Sequence, residues 1–186
     1  MEAGWEAMSA PVLHTERLVL RPFAPSDEET LLRLWNDADV RRFLWDDQPV
    51  ARETVREQIA QSQADFRERG YGLFLVTREG VVLGAAGLFR LPGEAWVELI
   101  YALLPGAWGQ GLATEAARAV LRFGFESAGL EEILAGADPG NAASLRVIER
   151  LGMTEEHERF VGPAQVLVRY RRLRREDFRN GKAPNP

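Results

Sequence analysis

Residues 108–116 read Trp108-Gly109-Gln110-Gly111-Leu112-Ala113-Thr114-Glu115-Ala116 and are the most informative part of the chain. They follow a predicted strand that ends in Pro105-Gly106, and they open a predicted amphipathic helix. Two glycines two residues apart leave the backbone N–H groups of the turn uncovered by side chains. Together with the positive end of the helix behind them, these N–H groups form a site suited to a phosphate or pyrophosphate. A P-loop is excluded, because no Lys-Ser or Lys-Thr pair follows the glycines.

The composition is that of one globular domain. The chain has 186 residues, of which 46% are hydrophobic and 27% charged, and its formal net charge of −5 argues against general nucleic-acid binding. No apolar run is long enough to span a bilayer, and the first residues lack the basic start and apolar core of a signal peptide. With no cysteine and two histidines, the chain is poor in metal ligands. We therefore expect a cytoplasmic protein with no metal ion and with neither a membrane nor a nucleic acid as partner.

Residues 169–175 depart from this acidic balance, because five of the seven are arginine. Such a run is typical of a strand whose solvent face is basic and pairs with acidic residues elsewhere. The alternative is a site for an anionic partner or a cofactor phosphate. Both interpretations are open at the level of sequence.

Hydrophobic periodicity predicts strands at residues 17–21, 71–77, 81–89, 95–104, 132–137, 158–161 and 165–173. It predicts helices at residues 26–36 and 51–69, from Leu112 to a closing Gly129, and from an N-cap at Asn141 to Gly152. The first helix opens on Ser26-Asp27-Glu28-Glu29, a capping-box signature. This order predicts an α+β domain with a mixed, mostly antiparallel sheet flanked by helices. We expect residues 1–13 to be a flexible extension, residues 14–180 the domain, and residues 181–186 a flexible tail.

A second motif lies downstream of the glycine turn, where Asn141-Ala142-Ala143-Ser144 runs into Glu149-Arg150-Leu151-Gly152. Two further blocks precede both motifs: Thr15-Glu16-Arg17-Leu18-Val19-Leu20-Arg21 and Glu98-Leu99-Ile100-Tyr101. In this order and at these separations, the four blocks resemble the GNAT superfamily of N-acetyltransferases. They are most similar to its Rim-type branch, whose named members acetylate the N-termini of ribosomal proteins. The resemblance covers residues 15–178 and implies the GNAT fold, in which the central strand splays from its neighbour.

The resemblance implies acetyl-CoA as the cofactor. In the family, backbone N–H groups of the glycine turn bind its pyrophosphate; here they belong to Trp108, Gly109, Gln110, Gly111, Leu112, Ala113 and Thr114. The splayed strand pairs with the pantetheine arm and polarises the thioester carbonyl, through Ile100, Tyr101 and Ala102 in this chain. Asn141 has a cofactor role in the family and is also a good N-cap. Trp108 replaces the usual Arg or Gln, as it often does in the Rim-type branch, which removes one side-chain contact to phosphate.

The family's usual acid and base are missing from this chain. Superfamily members often carry a basic Glu on the strand before the Asn helix and an acidic Tyr seven residues after the Asn, where this chain has Gly136 and Ile148. Glu98 remains a candidate base and Ser144 a candidate proton donor to the CoA sulfur. Glu98 could instead bind the substrate's ammonium or pair with an arginine, and Ser144 could bond to the backbone of its own helix. Without a base, the enzyme would rely on positioning and on the neutral fraction of the amine.

The motifs say least about the acceptor. In this fold its pocket is built by the first two helices, their connection and the last two strands, which here include Trp35, Arg41, Arg42, Phe43, Leu44, Trp45, Asp46 and Asp47. Such aromatic and acidic groups suit an amine on an apolar body, but they could equally cap the core. His157 could reach the same cleft or be structural. Rim-type members carry Asp where Gln165 aligns, which weakens a direct transfer of ribosomal-protein specificity.

We therefore expect an acetyl-CoA-dependent N-acetyltransferase that acts on a protein or peptide N-terminus or a small amine, by direct attack in a ternary complex. The alternative is a non-catalytic acyl-CoA-binding or sensing domain, which the loss of the usual acid and base favours. Homodimers are frequent in the branch, and a homodimer is one expected state. Release of the CoA thiol in the presence of an amine separates the enzyme from the sensor.

Overall fold

The computed structural model describes residues 10–45, 47–91, 93–162 and 165–180. The predicted tail, residues 181–186, and residues 1–9 of the predicted extension lie outside the described residues. Leu13, the last residue of that predicted extension, pairs with Leu20 in the sheet. The sheet therefore begins one residue before the predicted domain boundary.

In the described part of the chain, the strands form one mixed sheet. They are β1 Leu13–His14, β2 Val19–Pro22, β3 Leu73–Arg78, β4 Val81–Phe89, β5 Glu98–Leu103, β6 Glu132–Ala137, β7 Thr154–Val161 and β8 Val166–Arg174. Their spatial order is β1-β2-β3-β4-β5-β6-β8-β7. Neighbouring strands are antiparallel except for β5 and β6, which are parallel. The predicted mixed, mostly antiparallel sheet is confirmed.

Helices cover both faces of this sheet. They are α1 Glu28–Asn36, α2 Ala38–Arg41, α3 Arg52–Arg69, α4 Leu112–Glu126, α5 Ala142–Arg150 and α6 Arg175–Arg179. Along β3, Phe74 and Val76 pack into the core on the α4 side, whereas Leu75 packs into the core against α1 and α3. This alternation follows from the two-residue period of a strand. Among the described residues, no helix is long and apolar enough to cross a membrane.

The predicted capping box at the start of α1 is wrong. Residues Pro25–Asp27 form a 3₁₀ turn, and α1 begins at Glu28 with no side-chain cap from Asp27. The Asp27 carboxylate instead accepts the backbone N–H of Ala24 at 2.8 Å and forms a bidentate pair with Arg21, at 2.7 and 2.6 Å. The Asp27 carboxylate therefore holds the 3₁₀ turn against the end of β2, and α1 begins two residues after Ser26.

The two central strands separate soon after they meet. Their register contains the single pair Glu98–Leu134, and the backbone N–H of Leu134 donates to the carbonyl of Val97 at 3.0 Å. Beyond Glu98, β5 continues in register with β4 only. The predicted splay at the central strand is confirmed, and it leaves one edge of β5 open.

Candidate active site

A cavity of about 870 Å³ runs along the open edge of β5. Its lining includes the glycine turn, which follows the carboxyl end of β5, and Glu98, which begins that strand. At about 3.3 Å per residue, these two ends of the strand are about 17 Å apart. The cavity therefore suits a long ligand that has an anionic group at one end and its reactive group at the other.

The glycine turn presents backbone N–H groups to this cavity. Gly109 and Gly111 have φ values of +72° and +76°, in the left-handed region that favours glycine. Gly111 is the N-cap of α4 and supplies no side-chain cap. In the described part of the chain, the backbone N–H groups of residues 109–114 donate no hydrogen bond. Together with the positive end of the α4 dipole, these donors are suited to a phosphate group.

Thr114 adds a side-chain donor at the same place. Its Oγ1 atom is buried and has no hydrogen-bond partner, yet the residue lines the cavity. A buried hydroxyl without a partner is costly, and a bound anion would satisfy it. The turn therefore fits the diphosphate of a coenzyme A on two independent observations, the open N–H groups and the unsatisfied hydroxyl.

Trp108 braces the turn instead of reaching for phosphate. Its Nε1 atom donates to the carbonyl of Leu103 at 2.6 Å, and half of the side chain stays exposed. Next to it, the Gln110 side chain donates to the carbonyl of Gly106 at 2.9 Å. Both side chains tie the turn back to the end of β5 and leave the N–H groups uncovered.

The pairing of β5 with β4 decides which backbone groups of β5 face its open edge. The backbone N–H of Leu104, just beyond β5, donates to a β4 carbonyl at 2.8 Å. Because hydrogen bonds in an antiparallel pair involve alternate residues, Ile100 and Ala102 also direct their backbone polar groups to β4. Leu99 and Tyr101 direct theirs to the splay. This corrects the prediction for Ile100 and Ala102, which line the cavity but have paired backbones, and it adds Leu99, which the motif did not single out.

Glu98 is a buried carboxylate at the start of the open edge, with its side chain in the cavity wall. The residue is 7% exposed and accepts a hydrogen bond from Trp96 Nε1 at 2.9 Å and another from the Tyr170 hydroxyl. Burial raises the pKa of Glu98, while these two hydrogen bonds oppose the shift. Arg159, the cation near it, pairs with Glu94 at 2.6 Å. Glu98 is therefore held by neutral donors, which argues against the interpretation in which it serves an arginine.

Ser144 and Tyr101 bring two hydroxyls together across the splay. Asn141 accepts the backbone N–H of Ser144 at 3.0 Å, which confirms the predicted N-cap of α5. The Ser144 hydroxyl lies 2.8 Å from the Tyr101 hydroxyl, which also lies 3.1 Å from the Ser144 carbonyl. Burial raises the pKa of Tyr101 to about 12, so its hydroxyl stays protonated. The partner of the Ser144 hydroxyl is thus the Tyr101 hydroxyl. The sequence motif predicted a role for the backbone of Tyr101 and none for its side chain.

The two positions at which the family often carries its base and acid are closed by packing. A Cβ atom on Gly136 would lie 2.7 Å from Val168 Cγ1 and 2.8 Å from the Tyr170 ring, so any side chain there would have to displace Val168 and Tyr170. Ile148 is fully buried in the core. Tyr170 occupies the space that a residue at position 136 would need, and it bonds to Glu98 from there.

The remaining candidates divide between the cavity wall and the core. Asp39, Arg42, Phe43, Leu44 and Asp47 line the cavity, whereas Trp35 and Trp45 pack against each other in the core at 5.4 Å between ring centroids. Arg41 pairs with Asp47 at 3.1 Å. Asp46 lies outside the described residues. The pocket prediction therefore mixed residues that line the cavity with residues that support it.

His157 and the basic stretch have structural partners. His157 stacks on Tyr170 with ring centroids 5.2 Å apart and does not line the cavity. In the stretch at residues 169–175, Arg169 bonds to Glu158 at 2.8 Å, and Arg172 bonds to Glu132 at 3.2 Å. These pairs support the interpretation of a strand whose basic face meets acidic neighbours.

Comparison with known proteins covers most of the chain. A family model described as an acetyltransferase (GNAT) domain matches residues 17–154. The chain is 36% identical to the Bacillus subtilis protein YkkB over 76% of this chain and 84% of YkkB, and further relatives are named N-acetyltransferases. The crystal structure of a GNAT-family acetyltransferase from Bacillus anthracis superposes with a TM-score of 0.74 at 26% identity, covering 89% of this chain and 99% of the other.

One structural neighbour contains the coenzyme. RimL, the ribosomal L7/L12 alpha-N-protein acetyltransferase, has been solved in complex with coenzyme A, and it superposes with a TM-score of 0.73 over 88% of this chain and 98% of its own. Its 18% identity extends the likeness to the fold alone. The family model spans more than half of the sequence, and the fold, the splay and the glycine turn agree with it. This chain belongs to the GNAT acetyltransferase family.

Proposed function

We propose that the protein is an acetyl-CoA-dependent N-acetyltransferase that acetylates a primary amine, either a protein or peptide N-terminus or a small amine, by direct attack in a ternary complex. The observation that carries this proposal is one continuous cavity with two chemically distinct ends. Unpartnered backbone N–H groups stand at the glycine turn, and the buried carboxylate of Glu98 stands at the start of β5. A donor with a diphosphate and an acceptor with an amine suit these two ends.

At the end of the cavity beside the glycine turn, backbone groups of the protein would hold the coenzyme. The N–H groups of residues 109–114 and the hydroxyl of Thr114 would take the diphosphate. The open backbone groups of Leu99 and Tyr101 would pair with the amide-bearing arm, and the Tyr101 N–H is a fixed donor toward a thioester carbonyl. Bound acetyl-CoA supplies the acetyl thioester.

Glu98 is the proposed base. An amine reacts only in its neutral form, so the ammonium group must lose a proton before attack. A carboxylate whose pKa is raised by burial is a better proton acceptor than one in water, and the cavity gives it access to the substrate. Glu98 also attracts the ammonium form to the site, so binding and deprotonation involve the same atoms.

Ser144 is the proposed donor to the departing sulfur, with Tyr101 behind it. The neutral amine, which has given one proton to Glu98, attacks the thioester carbonyl carbon, and the carbon–nitrogen bond forms as the carbonyl oxygen takes up negative charge. When the carbonyl re-forms, the carbon–sulfur bond breaks and the departing sulfur takes the proton of the Ser144 hydroxyl. Ser144 regains a proton from the attacked nitrogen by way of the Tyr101 hydroxyl, 2.8 Å away, so both hydroxyls end protonated. The products are the amide and the thiol, and Glu98 releases its proton to solvent.

A substrate screen with purified protein tests this proposal. Thiol release from acetyl-CoA is measured with peptides that vary in their N-terminal residue, with polyamines and with aminoglycosides, and the acetylated product is identified by mass spectrometry. We expect amine-dependent thiol release with at least one class. Saturable CoA binding without turnover across the panel would favour the sensing domain instead. A homodimer is tested separately by light scattering.

The cavity lining is compatible with both classes of acceptor. Besides Glu98 it includes apolar side chains, among them Phe89 and Val168, and the carboxylates of Asp39 and Asp47, of which Asp47 pairs with Arg41. Gln165, where Rim-type proteins carry Asp, bonds to the carbonyl of Gly162 within the β7–β8 turn. The screen therefore has to include peptides as well as small amines.

A further inference from the structure

The segment before β2 is tied to the glycine turn by a cluster that we call the clamp, made of Thr15, Arg17 and Glu115. One oxygen of the Glu115 carboxylate accepts the Thr15 hydroxyl at 2.6 Å and the backbone N–H of Arg17 at 2.9 Å. The other accepts Arg17 Nε at 2.7 Å and lies 2.6 Å from Arg17 Nη2. Thr15 and Arg17 belong to a sequence block that the family resemblance highlighted but to which the proposed function gives no role.

The same guanidinium also holds the turn itself. Arg17 Nη1 donates to the carbonyl of Gln110 at 3.0 Å, and Arg17 Nη2 lies 3.7 Å from the position of a Cβ atom on Gly111. Glu115 stands in the first turn of α4, whose backbone N–H groups are the proposed diphosphate donors. A single side chain thus connects the glycine turn, the start of α4 and the segment that leads into the sheet.

The Trp108 and Gln110 side chains tie the turn to the carbonyls of Leu103 and Gly106, and the clamp adds the restraint from the side of α4. Gly109 and Gly111 within the turn have left-handed backbones, and glycine has more backbone freedom to lose than any other residue. A binding site whose donors are already in place binds more tightly, because none of the binding free energy is used to order them. The clamp supplies that order from outside the cavity.

We propose that Arg17 is a positioning residue for the diphosphate site, and that it acts through Glu115 and the Gln110 carbonyl to fix the glycine turn in its binding conformation. This rests on the proposed use of the turn for a coenzyme A. It also explains why an acidic residue stands beside an anion site: the Glu115 carboxylate is neutralised by Arg17 and serves as the anchor for the clamp.

The variant Glu115→Gln gives the sharpest test, because two mechanisms predict opposite signs. A carboxylate near a diphosphate repels it, so on charge alone its removal strengthens CoA binding. The clamp predicts the reverse, since the amide loses the charge-assisted bonds to Arg17 and Thr15. We expect the dissociation constant of CoA, measured by titration calorimetry, to rise about tenfold, the size expected for loss of hydrogen bonds to a charged group.

Two substitutions of Arg17 separate positioning from direct attraction of phosphate. Arg17→Gln removes the charge, whereas Arg17→Lys keeps it but loses the planar fork that reaches Glu115 and the Gln110 carbonyl together. Positioning predicts that both variants bind CoA about equally weakly and show a raised KM for acetyl-CoA with an unchanged KM for the amine. Full rescue by lysine would overturn the proposal in favour of simple charge attraction.

Arg52→Gln is the matched control. Arg52 is similarly exposed and pairs with Glu28 at 2.7 Å and Glu29 at 2.9 Å, away from the cavity lining. We expect this variant to bind CoA as the wild type does. If the Arg17 variants do not fold, Thr15→Val removes one bond of the clamp and keeps every charge, and we expect about a threefold loss of affinity.

The outcomes are distinguishable from those of the proposed function. A wild-type protein that does not bind CoA overturns both. A wild-type protein that binds CoA, together with a folded Glu115→Gln variant that binds it equally or more tightly, overturns the clamp alone and leaves the acetyltransferase proposal standing.

Discussion

Replacing Glu98 by glutamine should remove the base and leave the site intact. Glutamine keeps the shape of the side chain and can still accept from Trp96 and Tyr170, so the change is confined to one ionisable group. General-base catalysis contributes about 10²- to 10⁴-fold, and we expect kcat/KM near neutral pH to fall about 100-fold. Stopped assays of thiol release, run with saturating acetyl-CoA and the best amine from the screen, measure this loss.

The pH dependence makes the prediction specific. Burial raises the pKa of Glu98 above its ordinary value of 4.5, and the base works only when ionised, so wild-type activity should fall as the pH drops through that raised value. The Glu98→Gln variant should show no such loss of activity at low pH. Its rate should instead follow the neutral fraction of the amine, which for a peptide N-terminus grows up to about pH 8. The ratio of wild-type to variant rates should therefore narrow at high pH.

Tyr170→Phe is the matched control for this experiment. The Tyr170 hydroxyl stabilises the ionised form of Glu98, so its removal should raise the pKa further and move the acid limb to higher pH, while the rate on the plateau stays close to wild type. A constant ratio of wild-type to Glu98→Gln rates across the whole pH range would refute the role of Glu98 as base. It would leave positioning of a neutral amine as the mechanism.

The same carboxylate affects stability. Because its pKa is raised in the folded state, the folded protein binds the proton more tightly than the unfolded chain, so this group lowers stability as the pH rises above 4.5. Glu98→Gln should therefore unfold at a higher temperature than wild type at neutral pH, and the difference should vanish in acid. An unchanged or lower midpoint at neutral pH would contradict the direction of the shift.

Three further substitutions test other parts of the site. Ser144→Ala should lower kcat about 10- to 100-fold and leave the dissociation constant of CoA unchanged, with a smaller loss for Tyr101→Phe; weaker CoA binding in Ser144→Ala would assign the hydroxyl to binding instead. Gly111→Glu should abolish CoA binding in calorimetry, because a φ of +76° is strained for glutamate and the new side chain would start 3.7 Å from Arg17 Nη2, where its carboxylate would compete with Glu115 for the guanidinium; undiminished affinity in the folded variant would exclude the turn. Gly136→Ala should lower the free energy of unfolding in urea by about 1–3 kcal/mol, because its Cβ would lie 2.7 Å from Val168 Cγ1. An unchanged midpoint would show that β6 and β8 accommodate the added methyl group without cost.

The elements that follow a regular pattern could be predicted from the sequence. The strand at residues 81–89 is a nearly continuous apolar run, and the helix at residues 51–69, observed as Arg52–Arg69, has Val55 and Ile59 at helical spacing and ends at Gly70; the glycine turn opens α4 as expected. The predicted start of α1 is two residues too early, because residues Pro25–Asp27 form a 3₁₀ turn that the Ser26–Glu29 pattern does not indicate. The Asp27 carboxylate bonds to Arg21 at the end of β2 and to the backbone N–H of Ala24, and a four-residue helix-start pattern contains neither partner.

The site shows the same division. Glu98, Asn141 and the glycine turn lie where the motifs indicated. The side chain of Tyr101, the closed position at Gly136 and the clamp on Glu115 depend on the strand register and on contacts between residues far apart in the sequence. Which backbone groups of β5 face the splay is decided by the alternation of its pairing with β4, and a shift of one residue would reverse it.

A crystal structure of the protein with coenzyme A bound tests the central claim most directly. We expect the diphosphate within hydrogen-bond distance of the backbone N–H groups of residues 109–114, the amide-bearing arm along the open edge of β5, and the sulfur within reach of the Ser144 hydroxyl. A diphosphate held elsewhere, for example by the arginines of β8, or a sulfur directed away from Ser144 and Glu98, would contradict it.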